Sequence, residues 1–85
     1  MNKEKHTIQD LENSLKGFLK NQYISTYNER TDKQRFICCS YFVKPNKAIF
    51  VDYEPSPEDI KRLSEKGIKV IQITNEQIES GDYDI

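Results

Sequence analysis

Apolar positions recur along this chain with two periods, and the switches between them mark out its elements. From Ala48 to Tyr53 the run Ala-Ile-Phe-Val-Asp-Tyr is β-rich. Glu54-Pro-Ser-Pro57 interrupts it. Ser56 is placed as a helix N-cap, Pro57 stands at the first helical position, and Asp59 follows three residues after the cap. Ile60 and Leu63 form the inward stripe, and Gly67 ends the helix. Leu63 and Ile68 occupy the positions of the apolar contact in a Schellman stop. Ile68 to Ile73 then returns as strand. The pattern from Ala48 to Thr74 therefore predicts strand–helix–strand.

Upstream, Thr7 is placed as an N-cap with Asp10 in the capping-box position, and Ile8, Leu11, Leu15, Phe18 and Leu19 follow a helical stripe. This spacing predicts a helix running to about Asn21. Gly17 would lie inside it, at about 1 kcal/mol against alanine, and would allow close approach of another backbone. Tyr23 to Tyr27 alternates as a strand, and Asn28 to Gln34 is a polar loop. Arg35 to Val43 predicts the strongest strand, with Phe36, Cys38 and Phe42 on one face and Ile37, Cys39, Tyr41 and Val43 on the other. Apolar residues on both faces place it inside a sheet. Lys44 to Lys47 is a hairpin turn, and Thr74 with Gln77 repeats the capping-box spacing before a short helix that stops near Gly81.

The element order is α-β-β-β-α-β plus a short C-terminal helix. It predicts an α/β (α+β) fold, a mixed four-stranded sheet packed by helices. The first three strands form an antiparallel meander. The link of about fourteen residues to the fourth suits a right-handed parallel crossover. Residues 1–85 are read as one small domain, with 1–6 and 81–85 as flexible ends. Eighty-five residues bury roughly two-thirds of their unfolded surface, so one thin core is available. Nine aromatics and ten isoleucines can build it despite a hydrophobic fraction of 35%.

Net charge is −1 but unevenly spread. Met1 to Phe50 carries nine basic and five acidic residues, or +4; Val51 to Ile85 carries four basic and nine acidic, or −5. Such a chain is a poor non-specific nucleic-acid binder, yet it offers a basic and an acidic side to a partner. No apolar run approaches the roughly 18 residues of a membrane helix, and the charged start is not a signal peptide, so a cytoplasmic location is expected.

Chemistry is sparse. Cys38 and Cys39 are adjacent on a strand, so their thiols face opposite ways, and they read as small apolar residues in a reducing compartment. His6, alone and near the N-terminus, supports neither a Cys-His pair nor a metal site. Asp52 and Glu54, two apart at a strand end, could hold a divalent cation. Their alternative is a solvated strand end, beside Glu58 complementing the helix dipole and Asp59 capping. Arg30, Lys33 and Arg35, with tyrosines nearby, form the nucleic-acid alternative. Glu76, Glu79, Asp82 and Asp84 make an acidic end that can dock on a basic partner. No phosphate loop or catalytic histidine set is present, and no cofactor is implied.

The order α-β-β-β-α-β, with the closing stretch from Leu63 to Ile78, resembles the core of the PD-(D/E)XK nuclease superfamily, including its compact very-short-patch-repair-like members. The resemblance covers about the last forty residues. It would place Asp52 at the acidic position of the third strand and Glu12 at the helical glutamate. Glu54 stands where the family's lysine would be, and Cys39 and Ser40 stand where its metal-binding aspartate would be. The resemblance thus implies a nuclease-like scaffold without the metal site that hydrolysis requires.

These readings converge on a small non-catalytic module that binds another protein: a regulator, adaptor or inhibitor, with residue usage suggesting a mobile element of an AT-rich genome. The residues singled out for contact are Tyr23, Tyr27 and Tyr41, taken as exposed, and the acidic end. An unusual metal-dependent nuclease and a nucleic-acid-binding module are the alternatives. If the Tyr23 strand lies at a sheet edge, it is also a template for homodimerisation.

Overall fold

The structure, a computed structural model, describes residues 5–15, 17–28 and 30–85. Its elements run α1 (Ile8–Ser14), β1 (Phe18–Asn28), β2 (Lys33–Val43), β3 (Lys47–Val51), α2 (Pro57–Glu65), β4 (Lys69–Ile73) and α3 (Asn75–Ser80). One four-stranded mixed sheet has the order β1-β2-β3-β4. The meander is antiparallel and the β3–β4 pair parallel, as the order predicts.

Four local signals act as read. Thr7 and Asp10 close a capping box, the Thr7 N–H donating to Asp10 Oδ2 at 2.7 Å. Ser56 Oγ accepts from the Asp59 N–H at 3.2 Å behind Pro57. At the other end of α2, the Ile68 N–H donates to the Leu63 carbonyl and that of Gly67 to Ser64, both at 2.9 Å, with Gly67 at φ 78°. These are the two hydrogen bonds of the Schellman stop, and Leu63 and Ile68 join the same apolar cluster. Thr74 and Gln77 form the second box, and Gly81 at φ 74° ends α3.

The first helix is shorter than predicted. It stops at Ser14, Leu15 is already extended, and Gly17 adopts φ 69°. A Cβ at Gly17 would meet nothing within 4 Å, so the glycine serves the left-handed turn and not a close approach. Phe18 and Leu19, predicted on the helix, open an eleven-residue strand paired with β2. A long antiparallel ladder outweighs the helical stripe, because isolated short helices are marginal in water. Phe18 gains an edge-to-face contact with Tyr41, with ring centres 5.5 Å apart.

Two apolar clusters form on the two sides of the sheet. Leu11, Leu15, Tyr41, Val43, Ile49, Ile71, Ile73 and Ile78 make one, beneath α1 and α3. Ile24, Ile37, Cys39, Ala48, Phe50 and Leu63 make the other, beneath α2. Ile37, Cys39, Tyr41 and Val43 were expected on one face, yet they divide between the clusters. The division falls at Asn21 and Ser40, the one position of the β1–β2 ladder left unpaired, where Asn21 takes φ 50°. The ladder resumes in the same register, so no residue is inserted; the hairpin turns over instead and swings its outer half onto α2.

Of the ends expected to be flexible, residues 1–4 lie outside the described residues, while His6, Tyr83 and Ile85 make contacts. The His6 N–H donates to the Glu79 carbonyl at 2.9 Å, and Tyr83 and Ile85 lie against the first cluster, where 81–85 had been read as a loose end. Among the described residues no helix is long and apolar enough to cross a membrane.

Candidate protein-interaction face

β3 is five residues long and β2 is eleven, and this mismatch creates the site. β3 pairs only with Tyr41, Phe42 and Val43. Lys33 to Cys39 therefore projects beyond the four-stranded part, paired with β1 alone, and at the junction Ser40 Oγ accepts from the Val51 N–H at 3.1 Å. On one side of this projecting hairpin, Ile24, Thr26, Ile37 and Cys39 are buried toward α2. Thr26 Oγ1 donates to the Arg35 carbonyl at 3.0 Å.

Among the described residues no helix covers the other side. The register sets Tyr23 opposite Cys38, Ser25 opposite Phe36 and Tyr27 opposite Gln34. Alternation then puts all six on one face. Tyr23, Phe36 and Tyr27 are 65, 60 and 58% exposed. Two contacts hold the face in shape. Gln34 Nε2 donates to Ser25 Oγ at 2.6 Å, and the Tyr27 hydroxyl donates to Asp32. That bond raises the Tyr27 pKa, since it favours the protonated phenol.

Beside the face, a cleft of about 300 Å³ follows β2 where β3 has stopped. Arg35 to Ser40 line it on one side, and Phe50, Tyr53 and Asp59 on the other. Phe50 and Tyr53 have ring centres 6.0 Å apart. Arg35 grips the buried Asp59 through two hydrogen bonds, Nε–Oδ1 at 2.7 Å and Nη2–Oδ2 at 3.2 Å. The two charges cancel, so the cleft is nearly neutral. Cys38 is exposed on its wall, whereas Cys39 is buried and its thiol is pushed up to about 11 by desolvation.

Several sequence expectations change here. Tyr41 is 6% exposed and is no contact residue, because its pairing with Ile49 turns it under α1. Its hydroxyl donates to Glu12 at 2.8 Å, and burial with that carboxylate pushes it up to about 12. Lys20, 2.9 Å from Glu12, and Tyr41 hold the Glu12 carboxyl below its usual range. Arg30, Lys33 and Arg35 do not form one patch. Arg35 is taken up by Asp59, while Arg30 lines a separate groove with Lys61, Arg62, Lys66, Glu58 and Glu65. Asp59, read as a cap, is instead this buried ion partner; Ser56 caps alone.

Asp52 sits at φ 52° just after β3, where its carboxylate accepts from the backbone N–H and side-chain amide of Asn75. Both its oxygens thus anchor the start of α3, while Glu54 is exposed. Among the described residues no three His, Cys, Asp or Glu side chains gather as metal ligands. Glu76 and Glu79 lie on α3 and Asp82 in its C-terminal stop, with Asp84 after it. They accompany the first cluster, not the hairpin face, so the structure does not join the acidic end to Tyr23 and Tyr27.

Sequence reading missed Phe36 and Tyr53 as exposed aromatics. The signal for Phe36 was present: a short loop after Asn28 brings it across from Ser25, between the two tyrosines. Tyr53 carries no such signal, since its place depends on where β3 ends. No protein-family model matches this chain, nor does any curated protein or solved structure.

Proposed function

We propose that this chain is a non-catalytic module that binds another protein through the uncovered face of the β1–β2 hairpin. The observation that carries the reading is the set of three aromatics, Tyr23, Tyr27 and Phe36, on a face that no helix packs among the described residues. Tyrosine and phenylalanine are the residue types enriched at interface centres, and scattered single exposures would carry no such weight. Around them the charges are mixed: Lys33 and Arg35 stand on the opposite side of β2, Asp32 engages Tyr27, and in the groove that Tyr27 also lines Glu58 and Glu65 stand among Arg30, Lys61, Arg62 and Lys66. This suits a protein surface better than a phosphate backbone, which calls for a run of unpaired cations. A regulatory or inhibitory accessory role, in the cytoplasm, fits the small size and the exposed free thiol of Cys38, which calls for a reducing compartment.

The test is affinity capture from nuclease-treated lysate of the source organism. The native chain is compared with the Tyr23→Ser/Phe36→Ser variant after circular dichroism confirms that both are folded. The reading expects one protein retained stoichiometrically by the native chain and lost with the variant. Equal retention by both would remove the aromatic face from the interface, and capture that disappears with nuclease would assign the module to nucleic acid.

A further inference from the structure

Where β3 stops, β2 goes on without a neighbour on that side. Strand residues alternate the direction of their N–H and C=O groups, so every second residue from Gln34 to Cys39 points them away from β1. Among the described residues, none of these backbone groups has a backbone partner outside the β1–β2 ladder. Buried sheet edges are normally paired, and open ones are blunted by charge, proline or a covering element. Of the sheet's two edge strands, β1 and β4, the first is partly covered: Lys66 Nζ reaches over it from the end of α2 and donates to the Ser25 carbonyl. The stretch Phe36-Ile-Cys-Cys39 has neither charge nor proline. It faces the cleft walled by Phe50, Tyr53 and Asp59.

We propose that this cleft takes up an extended segment of the partner protein by strand addition, with Gln34 to Cys39 as the template. The inference deepens the proposed function by naming how the partner is held. Backbone hydrogen bonds to β2 supply affinity, and side chains alternating toward Phe36 on one side and Tyr53 on the other supply selectivity. Because Arg35 and Asp59 neutralise each other, the segment that fits is uncharged across its middle, with β-branched or aromatic residues at alternate positions.

A second copy of the chain fits less well, for two reasons. Its β2 carries the same wall of Phe50, Tyr53 and Asp59 along the edge it would present, so two walls would meet before two edges could pair. Its β1 could enter, but that contact is head-to-tail and leaves each newly added copy's cleft open, which propagates a filament and does not close a dimer.

The experiment pans a displayed library of random ten-residue peptides against the full chain, then synthesises enriched sequences with a single N-methyl group at each position in turn. Strand addition expects enriched peptides with alternating apolar positions, and loss of binding by roughly tenfold at every second N-methyl position with little change between. It also expects bound peptide to protect Cys38 from alkylation, since that thiol lines the cleft. An N-methyl scan without a two-residue period, unprotected Cys38, or no enriched peptide would overturn the proposal. So would concentration-dependent self-association that excludes peptide. Tyr23 does not line the cleft, so failure of the capture experiment with its variant and failure of strand addition are read separately.

Discussion

The same residue types meet opposite fates at the two ends of the sheet. At the four-stranded end, Phe50 is fully buried and Tyr41 nearly so; on the projecting hairpin, Phe36 and Tyr23 are mostly exposed. Hydrophobicity does not separate these pairs. The difference is that α1 and α3 cover one side of the short strands and α2 the other, while the hairpin beyond Ser40 has α2 on one side only. An apolar residue at an uncovered position gains little for folding, and the proposed contact rests on three aromatics sharing one such face. The fold thus buries its aromatics at one end and leaves them exposed at the other.

The sharpest break of this contrast is Leu63→Ala. Leu63 is fully buried, in a helix that packs on both β4 and β1, and its truncation is expected to cost about 3 kcal/mol. Urea unfolding checks it, and a loss near zero would mean that α2 does not hold the hairpin down.

Gly81→Ala comes next. Gly81 lies at φ 74°, and a Cβ there would stand 2.9 Å from the His6 ring, so strain and a clash together are expected to cost about 2 kcal/mol. The matching Gly17→Ala change has the same sign of φ but open space, and should cost less; equal losses would show that the His6 contact does not matter.

A smaller effect separates the ends by pH. The Glu12 carboxyl, held low by Lys20 and Tyr41, contributes stability that is present above its unfolded value of 4.5 and is lost as pH falls through the folded value. Glu12→Gln should therefore flatten the acid side of a melting-temperature profile while leaving its shape at neutral pH unchanged. An unchanged acid limb would place the acid sensitivity elsewhere.

The smallest expected change is at the hairpin. Tyr23→Ser and Phe36→Ser should each shift stability by no more than about 0.5 kcal/mol, because neither side chain is packed by a helix. A loss above 1 kcal/mol in either variant would show that these aromatics serve the fold, and would weaken the case for a contact face.

Much of the architecture is legible in order along the chain. Thr7 with Asp10, Ser56 before Pro57, Gly67 before Ile68, and Thr74 with Gln77 are local devices whose bonds close within six residues, so neighbours in sequence suffice to specify them. The candidate site was half legible: Tyr23 and Tyr27 were picked out as alternating aromatics, while Tyr41 was placed with them and is in fact buried. Alternation states which residues share a face but not which face receives a helix.

That decision belongs to contacts between distant segments. The end of β3 at Val51 leaves Phe36 and Tyr53 beside an open edge, the turnover at Asn21 and Ser40 sends Ile37 and Tyr41 to different cores, and Asp59 draws Arg35 away from its neighbours in sequence. Local hydrogen bonds and propensities therefore determine the elements and their order. Which surfaces they bury, and which they leave open, follows from the lengths of paired strands and the placement of the helices, and these become definite only once the chain is folded.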